Sequence, residues 1–111
     1  MFNILGGVKV LDLTTVVLGP FATQILGDFG AEVIKIENLD GDMMRAVRPG
    51  SSDEMGAGFV NCNRNKQCVA INLKTPEGQE IFYSLVKTAD AVVHNMRDKT
   101  AVKLGLSLIH I

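Results

Sequence analysis

The chain has 111 residues, room for one small domain and not for two. Hydrophobic residues make up 47% and charged residues 21%, an ordinary globular balance that excludes a disordered segment. Lysine plus arginine number 11 against 12 acidic residues, a net charge of −1, so the basic excess of a nucleic-acid surface is missing, although a few cations in one pocket can still meet a phosphate.

Met1-Phe2-Asn3-Ile4 carries no basic start followed by an apolar stretch, so no secretory signal is expected. No apolar run approaches the roughly 20 residues of a membrane span. A cytoplasmic protein without a membrane partner is therefore expected. Cys62 and Cys68 are expected as free thiols, and without a C-x-x-C pair no zinc site is expected.

In chain order, the first element is a strand at Val8-Lys9-Val10-Leu11-Asp12-Leu13, alternating and β-branched, entered through Gly6-Gly7. Gly19-Pro20 opens a helix, since proline is tolerated in a first turn where its N–H would have no intrahelical partner. Phe21, Ile25 and Phe29 recur at helical spacing as one apolar stripe, and Gly30 is a natural stop. Ala31 to Ile36 alternates again as a second strand, giving a βαβ unit with a parallel pair. Residues 38 to 58, rich in glycine and polar groups, read as a long loop.

After Phe59-Val60 and the polar run Asn61 to Lys66, a third strand is predicted at Cys68 to Leu73. Thr75-Pro76-Glu77 starts a helix, with a capping hydroxyl, a proline in the first turn and an acid facing the positive end of the dipole. Its apolar face is Phe82, Leu85, Val86 and Ala89. A fourth strand at Asp90 to His94 follows, and Asp98 is placed to cap a last short helix. Strands interleaved with helices predict an α/β fold with an open, mostly parallel sheet. Ligands of such sheets sit outside the carboxyl ends of the strands, here residues 14 to 19, 37 to 45, 73 to 75 and 94 to 97.

Several chemistries are absent from the string. There is no G-x-x-x-x-G-K-[ST] phosphate loop, no G-x-G-x-x-G after the first strand and no G-x-S-x-G elbow. Glu37, ending the second strand, is where a ribose-binding carboxylate of a dinucleotide (NAD) module would sit, which keeps that reading open. His94, at a strand end, is either a general base or the closing residue of its strand. Asp12, inside a strand, reads as a structural acceptor. Asn63-Arg64-Asn65-Lys66 is either a solvated turn or a place where two cations meet an anionic group.

The ordered set Val8-Lys9-Val10-Leu11-Asp12-Leu13-Thr14, Gly19-Pro20, Ala31-Glu32-Val33-Ile34-Lys35-Ile36-Glu37, Gly41-Asp42, Arg45, Asn63-Arg64-Asn65-Lys66, Leu73-Lys74-Thr75-Pro76-Glu77-Gly78, Ala89-Asp90-Ala91-Val92-Val93-His94-Asn95 and Leu104-Gly105 resembles the family III coenzyme A transferases, the CaiB–BaiF group. The resemblance covers residues 5 to about 106. It implies a Rossmann-like large domain, of which residues 1–111 would be an incomplete N-terminal part, and an interlocked homodimer. It implies an acyl-CoA donor and a carboxylic acid acceptor as partners, with coenzyme A as substrate and no cofactor bound permanently. The family's attacking aspartate matches no position here, so the resemblance supplies no catalytic residue.

Coenzyme contacts transfer by position. The resemblance places Val17 and Leu18 along the coenzyme, and Asn38 where relatives can present an arginine to the nucleotide. Ile71, Asn72, Leu73 and Lys74 border the adenine end. Asn95, Met96 and Arg97 form the turn beside the pyrophosphate and pantetheine arm, and Lys103 is a basic position near the phosphates. An α-methylacyl-CoA racemase of the same family would use the same coenzyme site. The last residues, Leu106-Ser107-Leu108-Ile109-His110-Ile111, depart from the family pattern and match the translated end of a common sequencing adapter, so residues 106–111 are expected to be a non-native tail.

Overall fold

In this computed structural model residues 3–106 are described. In chain order they form β1 (Lys9–Asp12), α1 (Leu18–Asp28), β2 (Glu32–Glu37), a 3-10 turn (Met43–Arg45), α2 (Ala57–Cys62), β3 (Lys66–Ala70), α3 (Pro76–Val86), β4 (Ala91–Val93) and α4 (Asp98–Lys103). The four strands make one sheet in the order β3-β2-β1-β4, every pair parallel. The predicted α/β class with a parallel sheet flanked by helices is the observed one. The expected tail at 106–111 lies, apart from Leu106, outside the described residues.

The two sheet faces are built differently. On one, Leu11, Leu13 and Ile36 pack with Phe82 of α3, Ala101 of α4, Ile71 and Leu106 in an apolar core. Leu85, Val86 and Ala89 join it, so the predicted face of α3 is the one it buries. Thr75 caps that helix as expected, its Oγ1 accepting from the Gly78 amide at 3.1 Å. The other face starts with Val10, Ala31 and Val33, but toward the carboxyl ends of the strands it turns charged.

That change reverses α1. The predicted stripe of Phe21 and Ile25 points away from the sheet, and Leu18 beside it is 85% exposed. The buried residues are Pro20, Thr23, Gln24 and Gly27. The helix lies over charged groups, where only small or hydrogen-bonding residues fit: Thr23 donates to Asp12 at 2.7 Å and Gln24 accepts from the Arg64 amide at 2.9 Å. Phe29 lies just past the helix, half-buried, and Gly30 closes it at φ +102°, as predicted.

Other boundaries shift for local reasons. β3 spans Lys66–Ala70 rather than Cys68 to Leu73, because the chain turns at Asn72, whose carbonyl accepts from both the amide and the hydroxyl of Thr75. Asp98 lies in the first turn of α4, and Arg97 takes the cap position without a side-chain bond. The loop predicted for 38 to 58 contains the 3-10 turn, a bridge between Gly50 and Gly56, and the first residues of α2. Phe59 to Cys62, to which the sequence pattern assigned no element, belong to α2, which ends as Asn63 donates to the Phe59 carbonyl at 2.8 Å.

Gly78 sits where α3 passes close to the preceding turn, and a Cβ there would lie 1.9 Å from the Asn72 carbonyl oxygen. Gly78→Ala is expected to destabilise the protein by about 1–3 kcal/mol, the usual cost of forced overpacking, read as a lowered denaturation midpoint.

Candidate functional site

Alternation along β2 sends Ile34 and Ile36 to the apolar core and Val33, Lys35 and Glu37 to the opposite face. Lys35 stands in register with Asp12 of β1. Two ion pairs with fully buried side chains follow. Lys66 meets Asp12 at 2.8 Å, and Lys35 meets Asp42 at 2.9 Å. A buried charge costs several kcal/mol unless it is paired and hydrogen-bonded. Each is. Asp12 also accepts from the Thr14 amide and from the Thr14 and Thr23 hydroxyls, while Lys66 also donates to the Pro20 carbonyl and Asn63 Oδ1. Lys35 donates to the Thr14 carbonyl at 2.9 Å.

Burial alone would raise the Asp12 carboxyl, but the bonds from Lys66, Thr14 and Thr23 outweigh it and hold it below the ordinary carboxylate range. Burial lowers the Lys66 ammonium, with Asp12 opposing the change. Asp12 is thus the structural acceptor its place in a strand suggested. Glu37 closes the row. Arg45 grips its carboxylate with two bonds at 2.8 and 2.6 Å, and the Asp42 amide adds a third at 2.9 Å. Those bonds overcome burial and lower Glu37, and the Glu37 bond raises Arg45 further. The Arg45 guanidinium lies 3.9 Å from the centre of the buried Phe59 ring, a close cation–π contact.

Above this row runs the turn from β1 to α1, and side chains hold its backbone. The Thr14 amide is taken by Asp12 and its carbonyl by Lys35. Asn95 pairs with Thr15 in both directions, accepting from the amide at 3.1 Å and donating to the carbonyl at 3.0 Å. The Val16 amide faces both oxygens of Asp42 at 3.4 Å. Val16 has φ +74°, and a β-branched residue in the left-handed region is a real outlier of the kind that gathers at functional sites. Gly19 completes the turn, since a Cβ there would lie 2.5 Å from Thr14 Cβ.

Against this turn, at the carboxyl ends of β1 and β2, opens a cleft of about 180 Å³ lined mainly by Thr14, Thr15, Ile36, Glu37, Asp42 and Leu104 together with expected residues. Asn38, Ile71, Leu73, Lys74 and Met96, all expected from the sequence, line it. The other expected residues do not. Val17 and Leu18 stand exposed at the start of α1, and Asn72 shapes the turn before α3, its Oδ1 accepting from the Lys74 amide at 3.2 Å. Asn95 is spent on Thr15. Arg97 and Lys103 stand exposed at the two ends of α4. Ile71 is buried in the apolar core, and Leu73 and Met96 pack against it.

A larger, more open cleft of about 670 Å³ lies between the 38–46 loop and the edge strand β3, with Asp40, Asp53, Glu54 and Cys68 among its lining residues. Those carboxylates suit an anionic ligand poorly, so the smaller cleft is the better candidate. Burial of its sulfur and the neighbouring Glu37 push the Cys68 thiol up, away from the thiolate form, although the residue as a whole is exposed. Cys62 and Cys68 are both free, as expected.

The open readings of the sequence resolve as follows. Both Glu37 oxygens accept bonds from Arg45, so this carboxylate is committed to an ion pair within the chain. His94 closes its strand, Nδ1 accepting from the Met96 amide at 3.1 Å. The two cations of the 63–66 run do meet anionic groups, but of the chain itself: Arg64 pairs with Asp28 and Lys66 with Asp12. Lys35 and Asp42 were not singled out by function from the string. The one available signal was a lysine set between isoleucines in a strand buried on both faces.

The sequence pattern of CoA-transferase family III matches residues 5–110, and the chain belongs to that family. Its relatives include a succinyl-CoA:mesaconate CoA-transferase from Haloarcula marismortui, 42% identical over 89% of this chain and 26% of the relative. A human succinyl-CoA:glutarate CoA-transferase is 46% identical over 92% of this chain and 24% of the relative. A CAIB/BAIF family protein from Brucella suis has the same fold with a TM-score of 0.91 at 35% identity, covering 99% of this chain and 30% of that one. The chain thus spans about a quarter of the length of the curated relatives it matches.

Two outcomes follow for the buried charges. Lys35→Met leaves Asp42 buried without its cation and is expected to cost about 3–5 kcal/mol, read by equilibrium denaturation. Glu37 has a folded pKa below its unfolded value, so its contribution is present above about pH 4 and lost as the pH falls through the lowered value. Stability measured against pH is expected to fall on acidification, and Glu37→Gln is expected to flatten that fall.

Proposed function

We propose that residues 3–106 form the coenzyme-holding part of an enzyme that moves coenzyme A from an acyl-CoA donor to a carboxylic acid acceptor. The observation that carries this reading is the cleft at the strand ends. There the fold gathers Asn38, Ile71, Leu73, Lys74 and Met96 from separate parts of the chain, at positions matched to coenzyme contacts of the family. Relatives named as CoA-transferases support the reaction type.

In this reading apolar Ile71, Leu73 and Met96 form the wall for a flat or alkyl portion of the ligand, and Lys74 supplies positive charge at its edge. Arg97 and Lys103 reach phosphate groups that extend past the cleft. The carboxylate that attacks the thioester comes from elsewhere in the full-length polypeptide. Glu37 is tied to Arg45 and Asp42 to Lys35, and a carboxylate held in that way is a poor nucleophile. The outward apolar side of α1 supports burial against further chain, in keeping with an interlocked homodimer. Free thiols fit a cytoplasmic setting.

Calorimetric titration of the full-length protein with coenzyme A and, separately, with NAD tests this. Saturable binding of coenzyme A and none of NAD is expected. Tight binding of NAD with no response to coenzyme A would overturn the reading.

A further inference from the structure

We propose that Asn95, Lys35 and Asp42 are positioning residues that act through the Thr14–Val16 turn, fixing one wall of the cleft before any ligand arrives. Three consecutive residues have their backbone groups held by side chains from three other parts of the chain. Lys35 comes from β2, Asp42 from the cap of the 3-10 turn, and Asn95 from the link between β4 and α4. In a turn built only from local bonds, the neighbouring backbone would satisfy these groups. Here the conformation depends on distant side chains, and it includes a valine at φ +74°.

For Asn95 and Lys35, neither of which lines the cleft, the geometry separates holding the turn from touching the ligand. Asn95 spends its amide on Thr15, reproducing across a side chain the two-way pairing of a β-bridge. Lys35 and Asp42 have fully buried side chains, so Lys35 acts through the Thr14 carbonyl it holds. Thr14 and Thr15 line the cleft directly. A shift of the turn would therefore move the cleft wall without removing a contact residue. The ligand arm of this inference rests on the coenzyme A reading above.

Hydrogen exchange of the full-length protein without ligand tests the holding role on its own. Asn95→Ala removes an exposed side chain from a loop, so the fold should survive, with a melting temperature lowered by no more than a few degrees. Amide exchange at Thr15 and Val16 is expected to rise about tenfold or more in the ligand-free variant. Coenzyme A is expected to bind about tenfold more weakly to it. Unchanged exchange in the free variant together with weakened binding would mean that Asn95 touches the ligand, and would overturn the proposal. Faster exchange with unchanged affinity would also overturn it, by showing that the turn is not part of the site. If the unaltered protein ignores coenzyme A, the functional reading fails, while the exchange result still decides whether Asn95 holds the turn.

Discussion

The buried pairing of Asp12 with Lys66 and of Lys35 with Asp42 is the constraint on which the rest of this structure depends. Four charges with no exposed side-chain surface lie beneath the carboxyl ends of the strands, and none is isolated. Because unpaired charge is so costly in a dry interior, the groups around them must supply donors and acceptors at fixed places. That requirement explains a threonine on the inner side of α1, which donates to Asp12, and an asparagine at the end of α2, which accepts from Lys66. It also ties together segments that are far apart in sequence. Lys66 alone joins β1, α1 and the end of α2 to the edge strand.

The two faces of the sheet therefore do different work. The face carrying Leu11, Leu13 and Ile36 gains its stability from apolar burial against α3 and α4. The charged face is better suited to specifying position. A hydrophobic contact tolerates sliding, whereas a carboxylate holding several donors does not. The cleft lies where the two meet, with apolar Ile36 and Ile71 on one side and Asp42 under the other. A ligand there would find both a surface to lie on and a backbone whose polar groups are already committed.

Much of the fold was legible in the string because period-2 alternation, a helix cap at Thr75 and a glycine stop at Gly30 each follow from local chemistry. Phe21 and Ile25 misled for the complementary reason. Helical periodicity identifies the helix but says which side is buried only when the core beneath it is apolar, and here it is not. The cleft was placed by the strand-end rule, and five of its lining residues by family resemblance. Sequence reasoning missed the roles of Lys35 and Asp42 because, although only a few residues separate them, their pairing depends on how the loop after β2 folds back over the strand end, which local pattern does not reveal. Asn95 was noticed, but nothing in the string indicates that its amide faces the backbone of Thr15.

Val16 gives the clearest sense of how such a site is made ready. Turns that need a positive φ usually employ glycine, which reaches that conformation without strain but is loose until something orders it. A valine there is strained, at a cost of order 1–3 kcal/mol. In return it brings a stiff side chain and far fewer alternative shapes. The unfavourable free energy is met once, as the chain folds, and need not be met again at each encounter with a ligand.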